Sequence, residues 1–236
     1  MEIRSSEGTL GVLLPGLGAV ATTFIAGVES VRRGLAEPFG SLSQMQTIRL
    51  GKRTEDRTPR VTDFVPLAGL DQLVFGAWDP IPDNALESAR ASAVLSDRDI
   101  DAVADFLAGV EPMPAVFDTR YVKRLDGPNV KSGTKLEQGE ALRADIRRFK
   151  AEHDCDRLVM IWCGSTEVFL EPGPAHQSLE AFEAAMAEDD RAIAPSMIYA
   201  WAALKEGVPY ANGAPNLSAD VPALRELADA EGVPVA

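Results

Sequence analysis

Short, continuously apolar runs alternate with longer amphipathic stretches along this chain. Three runs are apolar at nearly every position and predict buried strands at residues 10–14, 73–77 and 158–162. Shorter segments predict further strands at residues 47–50, 115–117, 209–211 and 233–235. No internal repeat and no low-complexity segment interrupts this alternation.

Between these runs, apolar side chains recur at helical spacing. The periodicity predicts helices at residues 20–33, 98–108, 136–153, 195–207 and 221–231. Asp220 is expected to cap the last of these helices, and Gly232 is expected to end it. Strands that alternate with helices of this length predict an α/β fold with a Rossmann-like, doubly wound parallel sheet.

The last predicted strand begins at Val233, three residues before the final residue printed, Ala236. In open α/β sheets, ligands bind beyond the carboxyl ends of the strands, so a strand normally continues into a loop and a covering helix. We therefore expect the sheet to be incomplete at its C-terminal end, with a further part of the protein missing after residue 236.

The sequence from Gly16 to Ala21 has the pattern G-x-G-x-x-[G/A]. Gly16 permits a tight turn, Gly18 lets backbone N–H groups approach a pyrophosphate, and Ala21 lets the helix pack closely on the sheet. The motif lies between an apolar strand and an amphipathic helix, which is the context in which it binds a dinucleotide at the helix N-terminus. It therefore predicts a dinucleotide site, with NAD as the first choice of ligand. A glycine-rich turn without a ligand is the alternative.

The Rossmann pattern also requires an acidic residue at a strand end, about 20 residues further on, which binds the ribose hydroxyls. Glu37 has nearly that spacing but lies in a loop, so Asp79, which follows the run at 73–77, is the better candidate. The intervening segment at 49–60 is rich in charged residues and predicts an exposed loop. The alternative for Asp79 is a turn residue before Pro80.

Two further loops follow predicted strands and contain small, polar residues. They are the Cys-Gly-Ser-Thr-Glu segment at residues 163–167 and the Asn-Gly-Ala-Pro-Asn segment at residues 212–216. Because the carboxyl ends of parallel strands lie at one edge of a sheet, both loops are candidates to line a cofactor cleft. For each loop, a purely structural turn is the alternative.

The rest of the sequence predicts no catalytic residue and no metal site. It contains no Ser/His/Asp set, no G-x-x-x-x-G-K-[ST] loop and no cluster with metal-ligand spacing. The histidines, His153 and His176, are expected at the surface. The cysteines, Cys155 and Cys163, have neither zinc-binding nor disulfide spacing, which favours a cytoplasmic protein with reduced thiols.

The composition narrows the possible partners. The 236 residues have a formal net charge of −13, which disfavours nucleic acid and anionic membrane surfaces. The sequence has no stretch of 18 apolar residues and no apolar signal-peptide region at its start. A small-molecule ligand is therefore the expected partner, without nucleic acid and without a membrane.

Several segments together resemble one known family. They are residues 12–23, 76–79, 162–167, 193–196 and 206–216, the last containing Gly-Val-Pro-Tyr-Ala-Asn-Gly. With these segments the chain resembles the bacterial inositol-3-phosphate synthases, also called myo-inositol-1-phosphate synthases, over essentially its whole length. The resemblance implies an isomerase that cyclises glucose 6-phosphate to inositol 3-phosphate in inositol and phospholipid biosynthesis. NAD would be reduced and reoxidised within one turnover.

The resemblance also implies a set of cofactor-binding residues. They are Gly16, Leu17, Gly18, Ala19, Val20, Ala21, Asp79, Gly164, Ser165, Thr166 and Asn212. Eukaryotic members have a Gly-Gly-Asn-Asn-Gly turn where this chain has Gly18-Ala19-Val20-Ala21. They also have a serine at the position of Ala115, so one hydrogen bond near the adenosine ribose is in question.

The resemblance implies that the catalytic lysines, the phosphate site and the subunit interface would lie in a domain after residue 236. Residues 1–236 would then be the NAD-binding domain alone, inactive by itself, from an enzyme that forms a homo-oligomer, a tetramer in the family. Two other hypotheses remain: a non-catalytic dinucleotide-binding module, and an ordinary NAD-dependent dehydrogenase. The second is weaker because no histidine or lysine stands at a predicted strand end.

Overall fold

The computed structural model describes residues 6–236, which contain a five-stranded sheet with helices on both faces. The strands are β1 (Leu10–Pro15), β2 (Leu73–Asp79), β3 (Pro112–Pro114), β4 (Arg157–Trp162) and β5 (Tyr210–Asn212). Their order across the sheet is β3-β2-β1-β4-β5, and every pairing is parallel. The strand order reverses between β1 and β4, and ligands of doubly wound sheets bind at such a point.

Helices of very different length surround this sheet. In chain order they are α1 (Ala19–Arg32), α2 (Leu42–Met45), α3 (Val61–Phe64), α4 (Ala85–Ser92), α5 (Asp97–Asp101), α6 (Ala104–Ala108), α7 (Lys135–Glu152), α8 (Leu179–Ala187), α9 (Pro195–Lys205) and α10 (Pro222–Glu231). One apolar core lies between the sheet and α1, α4, α5 and α6. The other lies between the opposite face and α7 to α10.

Strand β1 is apolar at almost every position because it lies in the middle of the sheet. Leu10 pairs with Leu73 on one side and with Arg157 on the other. Val12 and Leu14 belong to the core under α1, whereas Leu13 belongs to the core under α7 and α9. A parallel strand that is buried on both faces has no position for a polar side chain, which explains the uninterrupted apolar run.

The two helices beneath the later strands begin in different ways. Thr134 caps α7: its hydroxyl accepts the Glu137 N–H, and the Glu137 carboxylate accepts the Thr134 N–H at 2.7 Å. Helix α9 has Pro195 in its first turn and is buried along its length up to Lys205. A helix that is apolar all round must lie inside the molecule, and α9 is covered by both α7 and α10.

Most of the predicted elements are present. The strands predicted at 10–14, 73–77, 158–162 and 209–211, and the helices predicted at 20–33, 136–153, 195–207 and 221–231, are confirmed with ends that shift by one to two residues. The parallel, doubly wound sheet is also confirmed. The charged segment at 49–60 is exposed, as predicted.

Several details of the prediction are wrong. Residues 47–50 form no strand; Thr47 makes a single antiparallel bridge with Arg60. The strand predicted at 115–117 is instead β3, which ends before Ala115. The helix predicted at 98–108 is two short helices, α5 and α6, and neither α4 nor α8 was predicted.

The last helix and the last strand also differ from the prediction. Val221 is the N-cap of α10, so Asp220 does not cap it. Near the end of the chain, Val235 makes a single parallel bridge with Tyr210 rather than a strand of its own. Hydrogen bonds from Tyr210 N to Pro234 O and from Asn212 N to Ala236 O extend that bridge along the outer edge of β5.

Between α1 and β2 the chain makes a long excursion away from the sheet. Helices α2 and α3 lie in it, and several of its apolar side chains are exposed, among them Phe39, Leu42 and Phe64. This excursion separates Gly16 from Asp79 in sequence, although both lie at the same edge of the sheet. Within residues 6–236, no helix is both long enough and apolar enough to cross a membrane.

Candidate cofactor site

The turn after β1 is packed so closely that its first glycine has no room for a side chain. Gly16 has a φ of +96°, and its N–H donates to the Trp78 carbonyl at 2.7 Å. A Cβ at this position would lie 2.5 Å from the Cα of Gly164, in the loop after β4. Both the positive φ and the approach of the two backbones therefore require glycine here.

The second glycine of the turn, Gly18, leaves open space at the start of α1. Gly18 is the N-cap of α1 with an ordinary extended backbone, and a Cβ there would meet no protein atom within 4 Å. No side chain caps α1, and no acidic residue lies in its first turn. The positive end of the helix dipole therefore faces open space, which is the arrangement that binds an anion.

Asp79, the last residue of β2, is bonded to the turn itself. Its Oδ2 accepts the Leu17 N–H at 2.7 Å and its Oδ1 accepts the Ile81 N–H at 2.9 Å. Burial raises the pKa of this carboxyl above its usual value, and the two backbone hydrogen bonds oppose that shift. Each carboxylate oxygen has a second lone pair, so Asp79 can still accept hydroxyl donors from a ligand.

A cavity of about 660 Å³ opens at this edge of the sheet. Its walls are the turn after β1, the end of β2, residues 115–117, the loop after β4 and residues 213–215. The volume lies within the range of pockets that enclose cofactor-sized ligands. It also spans the point between β1 and β4 where the strand order reverses, which is where such folds bind their ligands.

The charged groups that line the cavity are all acidic. They are Asp79, Asp83 and Glu167, and no lysine, arginine or histidine of the described chain lines it. Residues 6–236 also contain no group of three or more His, Cys, Asp or Glu side chains that could hold a metal ion. Within the described chain, an anionic ligand would therefore be stabilised by backbone N–H groups and the α1 dipole.

Three aromatic side chains form the floor of the cavity. Trp78 and Trp162 each lie 5.6 Å from the ring of Tyr199, measured between ring centroids. The Tyr199 hydroxyl accepts the Val116 N–H at 3.0 Å, and the Trp78 Nε1–H donates to Asp145 at 2.9 Å. The Trp162 Nε1–H is buried and has no partner within residues 6–236; the residue as a whole is 5% exposed. Within the described residues, this floor therefore leaves one buried donor unsatisfied.

Glu167 connects three elements beside this floor. Its carboxylate accepts the backbone N–H of Ser196 at 2.9 Å, the hydroxyl of Ser196, and the side-chain amide of Asn216 at 3.3 Å. In return, the Glu167 N–H donates to the Asn216 Oδ1 at 3.3 Å. Burial raises the pKa of Glu167 to about 7, and the hydrogen bonds from Ser196 oppose the shift. The carboxyl thus joins the loop after β4 to the loop after β5 and to the start of α9.

The structure brings most of the predicted site residues to one cavity. Its walls include Gly16, Leu17, Gly18, Ala19, Val20, Asp79, Gly164, Ser165 and Thr166. Ala21 is buried in the core under α1 and does not line the cavity. Asn212 is also outside the walls: its side chain donates to the Asn216 carbonyl at 2.6 Å and accepts the Ala214 N–H at 3.0 Å. It therefore braces the loop that forms the wall.

Sequence reasoning missed the interior of the site. Glu167, Ser196, Asn216 and Tyr199 were not predicted as individual site residues, although Glu167 and Asn216 lie within the two candidate loops and Ser196 ends a segment of the family resemblance. The surface location predicted for His176 is wrong: it is 1% exposed, its Nδ1 accepts the Gly173 N–H and its Nε2 bonds the Ala192 carbonyl. Because His176 lies close to glycine and proline residues, the sequence predicted a surface position for it. In the structure, the loop that contains His176 lies under α8.

The residues present fit a dinucleotide. The helix start at Gly18 is open to an anionic pyrophosphate, Asp79 offers acceptors for ribose hydroxyls on one side, and the aromatic floor extends on the other. The fold and this site define a Rossmann-type dinucleotide-binding domain. The model of the myo-inositol-1-phosphate synthase family matches residues 10–236. The chain belongs to this family and is its NAD-binding domain.

Individual relatives agree with this assignment. The chain is 45% identical to inositol-3-phosphate synthase 1 of Bacteroides thetaiotaomicron over 99% of its own length and 54% of that protein. It is 34% identical to inositol-3-phosphate synthase 1 of Oryza sativa over 93% of its own length and 46% of the relative. The chain therefore spans about half the length of the curated relatives that it matches.

Solved structures agree on the fold. The chain superposes on an inositol-3-phosphate synthase from Caenorhabditis elegans with a TM-score of 0.88 at 26% identity, covering 97% of this chain and 48% of that one. A myo-inositol-1-phosphate synthase-related protein from Thermotoga maritima has a TM-score of 0.64 at 20% identity and shows the same fold.

Proposed function

We propose that this chain holds NAD for an inositol-3-phosphate synthase reaction, in which glucose 6-phosphate is cyclised to inositol 3-phosphate. The observation that supports the proposal is the open N-terminus of α1 behind Gly18, in a cavity that Asp79 and the loop after β4 enclose. When bound, NAD supplies a hydride acceptor that later returns the hydride. The chain's own residues bind and orient the dinucleotide and exclude water from it.

In this proposal the dinucleotide lies across the carboxyl edge of the sheet. The adenosine ribose bonds to Asp79 at the end of β2, and the pyrophosphate lies on the N-terminus of α1. The nicotinamide half then extends past Gly164, Ser165 and Thr166, toward β4 and β5. Titration with NAD, followed by tryptophan fluorescence, tests the placement, because Trp78 and Trp162 form the cavity floor. A spectrum that NAD does not change would contradict it.

Replacement of Asp79 by asparagine tests the ribose side of the site. The new amide accepts only one of the two backbone N–H groups, and its NH₂ group faces the other donor. We expect NAD affinity to fall by about tenfold and stability to fall by about 1–2 kcal/mol. Calorimetric titration and thermal unfolding measure the two effects. The matched control is Asp83→Asn, which removes an acid from the same cavity; equal effects of both variants would argue against a specific role of Asp79.

We also propose that NAD binding by this chain is separable from turnover. Cyclisation of a sugar phosphate needs a cation that stabilises an enolate and binds a phosphate, and no cationic side chain of the described residues lines the cavity. The chain by itself is expected to bind NAD and to form no inositol phosphate from glucose 6-phosphate. The full-length relative from Bacteroides thetaiotaomicron, assayed in parallel, is the positive control.

The same assay separates the second candidate function, a non-catalytic dinucleotide-binding module. Inositol phosphate formed by this chain alone would exclude the module and would contradict the separation of binding from turnover. Formation only after the relative's C-terminal half is added would favour the enzyme.

The homo-oligomeric state that the resemblance implies, a tetramer, stays a prediction that size-exclusion chromatography can test. The cytoplasmic location also stays a prediction, and cell fractionation can test it.

A further inference from the structure

Glu167 is a buried acid whose role the placement of NAD does not yet explain. Glu167 lines the cavity, yet it is only 4% exposed. All three groups that contact its carboxyl are neutral: the Ser196 N–H, the Ser196 hydroxyl and the Asn216 amide. A buried carboxylate is usually paired with a cation. Here the compensation comes from hydrogen bonds and from the N-terminus of α9, where Ser196 lies in the first turn.

The hydrogen-bond pattern accommodates either protonation state. When Glu167 is ionised, it accepts the Ser196 hydroxyl and the Asn216 amide. When it is protonated, its O–H can donate to the Ser196 oxygen, and that hydroxyl can turn toward the Leu217 carbonyl at 3.5 Å. The Asn216 amide keeps the Ser196 oxygen as an acceptor at 3.1 Å. A proton can therefore be gained or lost without moving the loops.

Among the described residues near Glu167, three phenols and one thiol have pKa values raised further from neutral pH. Tyr121 faces this carboxyl from the loop before α7, Tyr199 from α9 and Tyr210 from β5. Burial raises the pKa of each phenol, that of Tyr121 to about 12, so all three stay neutral. Cys163 in the same loop has its pKa raised to about 11 by burial. Across the cavity, Asp79 is the remaining acid with a raised pKa.

The geometry points to Glu167 as a positioning residue that also sets the preference of the site for oxidised or reduced NAD. This inference rests on the proposed placement, in which the nicotinamide half extends toward β4 and β5. The oxidised nicotinamide ring has one positive charge and the reduced ring has none. An ionised carboxylate beside it therefore favours NAD⁺, whereas the neutral acid removes that preference.

The direction of the pH dependence follows from the raised pKa of about 7. Below that pH, Glu167 is protonated and its charge gives neither ligand an advantage; above it, Glu167 is ionised and NAD⁺ binds more tightly than NADH. We expect the ratio of dissociation constants, Kd for NADH over Kd for NAD⁺, to rise by about tenfold between pH 6 and pH 8, as one partly screened charge would produce. Both ligands contain the same pyrophosphate, so its contribution to binding cancels in the ratio.

The experiment measures both dissociation constants by calorimetry from pH 6 to pH 8 for the wild type and two variants. Glu167→Gln is the isostere of the neutral acid and should give a ratio that does not change with pH and equals the low-pH ratio of the wild type. Asp83→Asn removes a charge from the same cavity but leaves the Glu167 network, so its ratio should keep the pH step. If Glu167 had a purely structural role, Glu167→Gln would weaken the binding of both ligands equally and would leave the ratio of the two dissociation constants unchanged.

A second measurement needs no variant. In the wild type at pH 7, the binding of NADH should take up more protons than the binding of NAD⁺, as shown by calorimetry in two buffers of different ionisation enthalpy. Equal proton uptake, a wild-type ratio that is flat with pH, or a pH step that survives in Glu167→Gln would each overturn the inference. Failure of the wild type to bind either form would overturn the NAD placement, and the inference with it.

Discussion

The Gly18→Ala variant is expected to fold like the wild type and to bind NAD at least about tenfold more weakly. The added Cβ meets no protein atom within 4 Å, and the backbone of Gly18 is in an extended conformation that alanine adopts freely. The same Cβ projects into the space that the pyrophosphate would occupy. Loss of one charge-assisted hydrogen bond to a backbone N–H costs about 1.5–3 kcal/mol, which corresponds to a tenfold to hundredfold weaker affinity.

If this explanation is correct, Gly18→Ala leaves the thermal stability of the free protein unchanged but lowers its affinity for NAD. Thermal unfolding without ligand should agree with the wild type to within about 2 °C, because no contact within the chain is disturbed. Calorimetric titration with NAD should show the loss of affinity, and Gly18→Val should enlarge it. Wild-type affinity in Gly18→Ala would mean that the dinucleotide does not approach the start of α1.

The Gly16→Ala variant is expected to destabilise the fold itself. Its Cβ would lie 2.5 Å from the Gly164 Cα and 2.6 Å from the Gly164 nitrogen, and neither backbone atom can rotate away. The positive φ of Gly16 adds about 1–2 kcal/mol for any residue with a Cβ, and overpacking adds about 1–3 kcal/mol. A total on the order of 3 kcal/mol would lower Tm by roughly 6–12 °C. NAD binding should be lost together with the turn.

The control for Gly16→Ala separates the cost of the backbone angle from the cost of the clash. Gly34 also has a positive φ, of +67°, but a Cβ there would meet nothing within 4 Å. Gly34→Ala should therefore lower Tm only by the smaller, conformational part. If Gly16→Ala were no less stable than Gly34→Ala, the close approach of the turn to the loop after β4 would not exist in solution.

The parts of the fold that could be predicted from sequence are those that local physics determines. Strands β1 and β4 each lie between two other strands, and their apolar runs are easily recognised. The residues that the Gly16–Ala21 turn requires are adjacent in sequence, so a local pattern reveals them. Strand β3 could not be recognised, since it has three residues and two of them, Pro112 and Pro114, are prolines. The segment at 47–50 makes a single bridge, between Thr47 and Arg60, and therefore forms no strand.

The candidate site likewise contains one part that the sequence predicts and one part that it does not. Asp79 was found because it ends a recognisable strand, even with the long excursion between it and the turn. The contact between Glu167 and Asn216 joins residues 49 apart in sequence, and its third member, Ser196, comes from a buried helix. No local pattern predicts such a network, because it exists only when β4, β5 and α9 have assembled side by side.

The strand order has a consequence for the way the chain is made. Strand β1 emerges from the ribosome first, but Arg157, which pairs with Leu10, follows only about 150 residues later, or on the order of 10 s at usual rates of synthesis. During that interval this apolar central strand has one lateral neighbour at most and an unpaired edge. Nascent chains of this domain should therefore depend on chaperones until β4 is complete, and slow decoding before residue 157 should lower the soluble yield.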